Sequence, residues 1–271
     1  MKKELKPIQK ELLRLIKELK PLFDKYDIDY FACGGTMIGA VREKGFIPWD
    51  DDIDIFMARP DYDRLLEVAR NNNGKIGKFD VACGELENSL LPFCKIFDKR
   101  YKLNAKGVEG DEDYLFIDVF PFDAIPDNEE ERKNYYKLLQ KKRKAVEISR
   151  LTFSGLNDVT KNKVALIPKY IIKVFINITN PKRYLRNYLS LCKKYDYNSS
   201  KYVWGNTWGN IFDAKITKDD IKTKELPFED TTIKVMVGYD KYLTAVFGDY
   251  MHPPKKSEQE SHSINIVKEK K

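Results

Sequence analysis

Residues 31–57, FACGGTMIGAVREKGFIPWDDDIDIFM, hold a Gly-Gly pair and an acid-apolar alternation within 27 residues, and their reading decides the fold. On a strand, side chains two apart share a face. Asp52 and Asp54 therefore point one way, while Ile53 and Ile55 anchor the opposite face in a core. Two anions on one face repel by roughly 4 kcal/mol at 4 Å with an effective dielectric near 20. They need a cation or a proton, and a hard divalent ion such as Mg²⁺, which prefers carboxylate oxygen and keeps several waters, suits them.

Upstream of the pair, residues 28–33 read as a strand, Gly34 and Gly35 as a tight turn, and residues 36–42 as a short helix beginning at Thr36. Glycines let a ligand approach the backbone closely, and a helix N-terminus presents unpaired N–H groups to an anion. Singly, a Gly-Gly pair is usually just a turn and an acidic cluster a solvated loop. Together at this spacing they point to phosphoryl or nucleotidyl chemistry.

The run GGTMIGAVREKGFIPWDDDIDIFMARPDYDRL (34–65) resembles the signature of the LicD family, which is named for a phosphocholine transferase and includes fukutin-type sugar-modifying enzymes. The resemblance continues at FIDVFPFDAIP (116–126) and at LPFEDTTIKVMVGYDKYLTAVFGDYMHPP (226–254), leaving roughly 128–198 without a strong match. The family is similar to nucleotidyltransferases in having a Gly-Gly-Ser/Thr turn, an Asp-x-Asp strand and a third acid on a neighbouring strand. The resemblance puts Gly34, Gly35 and Thr36 on the donor phosphate, Asp52 and Asp54 on the metal, and Asp118 in the third acid position.

Composition sets wide bounds. A chain of 271 residues can bury a full core as one large domain or two small ones. The net charge of +7 favours anionic partners without selecting among nucleotide, nucleic acid, anionic polymer and membrane surface. Cys33, Cys83, Cys94 and Cys192 form no C-x-x-C pair, so buried, reduced thiols are expected. The N-terminus is charged throughout, unlike a signal peptide, and no apolar run approaches a membrane span, so a cytoplasmic location is expected.

Leu5, Ile8, Leu12, Leu15, Ile16, Leu19 and Phe23 recur at three- and four-residue steps, an amphipathic helix expected to pack on the sheet without doing chemistry. Residues 61–70 read as a helix ended by the Asn71 to Gly74 turn formers. Lys95 is a lone cation within an apolar strand. Such a lysine usually snorkels to solvent; in a phosphate site it would neutralise the donor diphosphate. Asp118 interrupts YLFIDVF (114–120), where an unpartnered buried acid would be costly. Asp123, near Pro121 and Pro126, sits in a turn context and reads as structural.

Residues 128–149 read as a polar, solvated helix. Residues 164–178 are apolar except for a narrow stripe of Lys169, Lys173 and Asn177, which suits a core helix or one lying in a membrane interface. Trp204 and Trp208, in YVWGNTWGNIF, are expected to flank loops, either sealing a small core or stacking on a base or quaternary ammonium. The polar tail beyond Lys255, with His262 in it, is expected to be loose.

The expected fold is α+β, a nucleotidyltransferase-like (polymerase-β-like) mixed-sheet core with a helical insertion. Residues 1–126 form the core, 127–200 the insertion with membrane or acceptor contact, and 201–271 a portion packing back on the core. The resemblance implies transfer of phosphocholine, or a similar phospho-substituent, from CDP-choline or a related CDP-linked donor. The acceptor is a hydroxyl of a cell-surface glycan such as lipopolysaccharide or teichoic acid, or of its lipid-linked precursor. Mg²⁺, with Mn²⁺ as the alternative, is held by Asp52, Asp54 and Asp118, the last as ligand or base; Arg42 and Lys95 are further phosphate contacts. A peripheral contact with the inner face of the membrane is expected and nucleic acid is not. The rival enzyme readings are nucleotidyl transfer to a small molecule or protein and polyol-phosphate transfer. The non-enzymatic rival, a basic nucleic-acid-binding module, leaves the Asp-x-Asp strand without a purpose.

Overall fold

The computed structural model describes residues 4–103, 114–150, 168, 171, 174, 175, 178, 180–207, 215–259 and 266–269. Helix α1 (Pro7–Lys25) buries Leu12, Leu15, Leu19 and Phe23, none more than 1% exposed. Pro7 stands in its first turn, where the missing N–H was unpaired anyway. Strand β1 (Phe31–Ala32) and helix α2 (Gly34–Ile38) follow, then a wide π-helical turn (Gly39–Glu43). Strand β2 (Asp54–Ala58) leads directly into α3 (Arg59–Asn71). Beyond it come β3 (Lys75–Ile76), β4 (Phe79–Ala82), β5 (Cys94–Leu103) and β6 (Tyr114–Ile125).

Two helices, α4 (Glu129–Arg150) and α5 (Pro181–Cys192), pack on each other, and the Tyr135 hydroxyl donates to the Leu191 carbonyl at 3.1 Å. The chain then returns through β7 (Tyr202–Trp204), the hairpin β8 (Thr223–Phe228) and β9 (Thr231–Met236), α6 (Tyr239–Phe247) and β10 (Ile266–Glu269).

The molecule is a mixed α/β structure. Its main sheet runs β1-β2-β6-β5-β4-β3, with β7 paired to β6 and β10 to β5. Strands β2 and β6 are parallel and their neighbours antiparallel. Ile53 and Ile55 are wholly buried, as the alternation predicts. Phe56, two residues from Asp54 and on its face, meets Tyr242 of α6 edge-on at 6.0 Å. All four cysteines are free and buried.

Several boundaries differ from expectation. The strand over 28–33 shortens to Phe31–Ala32, because Asp29 is drawn to the hairpin instead, accepting from Lys234 Nζ at 2.7 Å and Thr223 Oγ1 at 2.9 Å. Helix α2 begins at Gly34 rather than Thr36, its first turn closed by the Met37 N–H on the Cys33 carbonyl (3.0 Å). Gly34 has φ +50°, a conformation that only glycine adopts cheaply. Strand β6 continues past Phe120 to Ile125, its far end held by β7, so Asp123 lies in a strand and not in a turn. The tail includes β10, paired with β5. Trp204 is in β7, buried against Phe122 and Tyr242, so it seals the core. Trp208, His262, Lys169, Lys173 and Asn177 lie outside the described residues. At 168, 171, 174, 175 and 178 the chain is helical and exposed, with Ile171 at 66% and Ile178 at 78% exposure, so these positions do not form a buried core helix.

Candidate active site

Parallel pairing of β2 with β6 sets Asp54 beside Asp118 in register. On the other side of β6, the antiparallel register puts Lys95 of β5 opposite Asp118. The result is acid, acid and base in three neighbouring strands. Lys95 does not snorkel: it is 4% exposed, its Nζ lies 3.0 Å from Asp118 Oδ1, and it sits 3.4 Å above the Phe116 ring. A buried ammonium keeps its charge only with such partners.

Asp52 follows the buried Asp51 on the approach to β2, outside the strand on which it was expected, and Asp54 is the first residue of β2. Burial, and then the charges of Asp52, Asp118 and Asp50, push the Asp54 carboxyl well above the usual carboxylate range, against the pull of Lys95. Asp50 is pushed up to about 8 by burial and by Asp52. This is a carboxylate cluster with more negative charge than Lys95 can offset.

Hard oxygen donors in mutual repulsion fit a divalent cation such as Mg²⁺ in chemistry. Asp52, Asp54 and Asp118 are the residues that could hold one. Among the described residues, no three His, Cys, Asp or Glu side chains already stand as a ligand set.

The glycine turn fits closely against this cluster. A Cβ on Gly35 would come within 2.7 Å of Asp50 Oδ2, so the bare backbone is what admits the carboxylate. Thr36 is buried, and its hydroxyl accepts the Asp54 N–H at 2.9 Å, tying α2 to the start of β2. Arg42 donates through Nη1 to the Tyr250 carbonyl (2.7 Å) and through Nε to Glu43 (2.7 Å). Arg42, Gly35 and Asp50 line one cavity of about 530 Å³, walled also by Trp49, Phe247 and Tyr250. Lys95 and Asp118 do not line it.

Other positioning residues escape a reading of the motif alone. Gln9 of α1 donates from Nε2 to the carbonyls of Asp50 (2.9 Å) and Ile47 (3.3 Å), and Lys6 Nζ to that of Trp49 (2.8 Å). Helix α1 thus clamps the acidic loop in addition to packing on the sheet. Gln9 carried a faint signal as an amide between Ile8 and Leu12 on the apolar side. Glu229, at the β8–β9 turn, accepts the Phe46 N–H at 2.9 Å, and no local pattern announces that contact. Asp123 is structural, as expected: fully buried, it accepts from Arg59 Nε at 2.6 Å.

Comparison with known proteins gives one family and several relatives. Residues 27–164 match the family model described as LicD/FKTN/FKRP, nucleotidyltransferase domain. The chain is 31% identical over 260 residues to the lipopolysaccharide cholinephosphotransferase LicD of Haemophilus influenzae, an alignment covering 93% of each protein. It is also 31% identical over 123 residues to an uncharacterized protein of Rickettsia typhi, covering 44% of this chain and 36% of that one. An uncharacterized Rickettsia prowazekii protein is 40% identical over 57 residues, 21% of each.

Proposed function

The chain belongs to the LicD family and is a transferase, and from that premise we propose that it moves phosphocholine from a CDP-linked donor to a hydroxyl of a lipopolysaccharide-type glycan or its lipid-linked precursor. The observation that carries this reading is the in-register placement of Asp54 and Asp118 on parallel strands with Lys95 opposite. The core would work as a nucleotidyltransferase-like site. The acceptor oxygen attacks the choline-bearing phosphorus, the bond to the bridging diphosphate oxygen breaks, and CMP leaves with that oxygen.

Asp52, Asp54 and Asp118 would hold Mg²⁺, or Mn²⁺ in its place. Bound there, the ion supplies charge for the donor's phosphate oxygens as negative charge develops on them. Lys95, paired with Asp118, would add a cation beside the transferred group, and Asp118 would serve as metal ligand or receive the acceptor's proton. Gly34 would let the phosphate approach the backbone, Gly35 makes room for the Asp50 carboxylate on the wall of the cavity, and Thr36 holds Asp54 in place through its N–H. Arg42 is a further phosphate contact from the cavity wall.

No helix among the described residues is long and apolar enough to cross a membrane. A lipid-linked acceptor would be met at a membrane surface. Ile171, Val174, Phe175 and Ile178, all exposed, and Arg183 and Arg186 just beyond them, are the residues we assign to that peripheral contact.

Product analysis tests the reaction. With CDP-choline and acceptor, phosphocholine transfer releases CMP, whereas nucleotidyl transfer from a nucleoside triphosphate releases pyrophosphate. We expect CMP from the wild type and a loss of at least 100-fold in kcat in Asp54→Asn, with its Tm unchanged or raised. Pyrophosphate from a nucleoside triphosphate with no CMP from CDP-choline, or near-normal turnover of Asp54→Asn at saturating Mg²⁺, overturns the assignment.

A further inference from the structure

We propose that the cavity formed by Arg42, Trp49, Asp50, Phe247, Asp249 and Tyr250 seats the donor's phosphocholine headgroup, with the quaternary ammonium against the aromatic rings. The inference rests on the reading of the protein as a phosphocholine transferase and names the part of the site that selects the group transferred.

Phosphocholine is a zwitterion, and this cavity offers the complement of each of its ends. A trimethylammonium has no N–H to donate, so it is held by aromatic faces and diffuse negative charge. Trp49, Phe247 and Tyr250 supply the rings, and Asp249 the charge. The phosphate needs a donor, and Arg42 has one to spare: its Nη1 and Nε are engaged, while Nη2 is buried with no hydrogen-bond partner. The Arg42 side chain is only 9% exposed, so that nitrogen carries a desolvation cost that an anion would relieve.

Position supports the same occupant. Gly35 of the glycine turn and Asp50, two residues before Asp52, lie on the cavity wall, so the cavity borders the loop that carries the acidic cluster. At about 530 Å³ the space exceeds what a trimethylammonium requires and leaves room for the attached phosphate. The far wall is built by Phe247, the last residue of α6, and by Asp249, Tyr250, His252 and Pro254 beyond it. Tyr250 is fixed there by its hydroxyl on Asp240 Oδ1 (2.7 Å), and Asp249 by His252 Nδ1 (2.7 Å). Phe247, on the same wall, is 43% exposed.

Calorimetric titration of the full-length protein with phosphocholine, tetramethylammonium and CMP, in the wild type, Trp49→Ala, Phe247→Ala and Phe247→Leu, tests the assignment. Phe247→Leu keeps the apolar contact and removes the ring, so it guards against a variant that merely misfolds. We expect phosphocholine and tetramethylammonium to weaken about tenfold in each variant, with CMP affinity held within about twofold. The preference in kcat/KM for CDP-choline over its uncharged 3,3-dimethylbutyl analogue should fall by a similar factor. Equal weakening of CMP and phosphocholine, loss of CMP alone as for a pocket holding the base, or unaltered phosphocholine binding overturns it. Binding needs no turnover. A wild type that binds phosphocholine here but releases no CMP from CDP-choline refutes the transfer reaction and keeps the pocket.

Discussion

Asp98 shows how a single carboxylate can tie stability to pH. It is 3% exposed, and burial alone would raise its carboxyl. Hydrogen bonds from Arg100 Nε (2.9 Å) and Arg14 Nη2 (2.5 Å) overcome that effect and hold it below the usual carboxylate range. A depressed acid contributes stability that is fully present above its unfolded pKa of about 3.9 and is lost as pH falls through the folded value. Asp98→Asn should therefore cost about 2 kcal/mol at pH 7 and flatten the fall in Tm below pH 4. Thermal melts of both proteins from pH 3 to 7 check this; parallel curves would remove Asp98 from the acid limb. At this scale the sequence announced some residues and hid others. Asp54 was legible because it alternates with the buried Ile53 and Ile55, whereas Asp52, expected on the same strand, lies before β2 begins. The partnership of Lys95 with Asp118 was not, because a strand register between residues 23 apart has no local signature. The cavity beside Gly35 joins Arg42 and Trp49 to Phe247 and Tyr250, and chain separation conceals it entirely.

Among the elements, the long periodic ones were easiest to read. Helix α1 follows its apolar stripe, and α3 runs from Arg59 to Asn71 where residues 61–70 were expected. The short ones yielded to tertiary contacts, as when Asp29 left β1 for the hairpin. Residues 164–178 posed a choice that periodicity could not make, between a core helix and an interfacial one. Ile171, Val174, Phe175 and Ile178 recur at helical steps, and all four are exposed. Burial of such a stripe in a lipid interface would add to the charges of Lys182, Arg183 and Arg186 in α5, each contributing about 1 kcal/mol near an anionic surface. We predict salt-sensitive co-sedimentation with vesicles containing phosphatidylglycerol. Ile171→Asp should abolish it while leaving Tm within about 1 °C, since an exposed substitution is usually within ±0.5 kcal/mol. A large fall in Tm, or co-sedimentation that survives both the substitution and salt, would remove the helix from any membrane role.

For the molecule as a whole, the family match at 27–164 does not mark out a folding unit. Strand β7 pairs with the end of β6, and Tyr242 of α6 covers Phe56 on the carboxylates' face. A fragment ending at residue 164 would bare Phe56 and Phe122 and lose the wall beyond Gly35. We expect it to be insoluble, or to lack a cooperative melt by calorimetry, whereas a sharp transition in the fragment would mark the C-terminal third as an accessory. The same closure sets a timetable at the ribosome. Lys17 of α1 reaches Asp230 at 3.0 Å, and Lys20 reaches the Thr232 carbonyl at 2.9 Å, contacts that span 213 and 212 residues. At about 5–20 residues per second, the first helix is made roughly 10–40 s before the hairpin that seals it. Throughout that interval the acidic loop clamped by Gln9 and Lys6 has no Glu229 beneath it and no α6 beside it. The nascent chain thus carries an unfinished site, and the site closes only as residues 229–254 clear the exit tunnel.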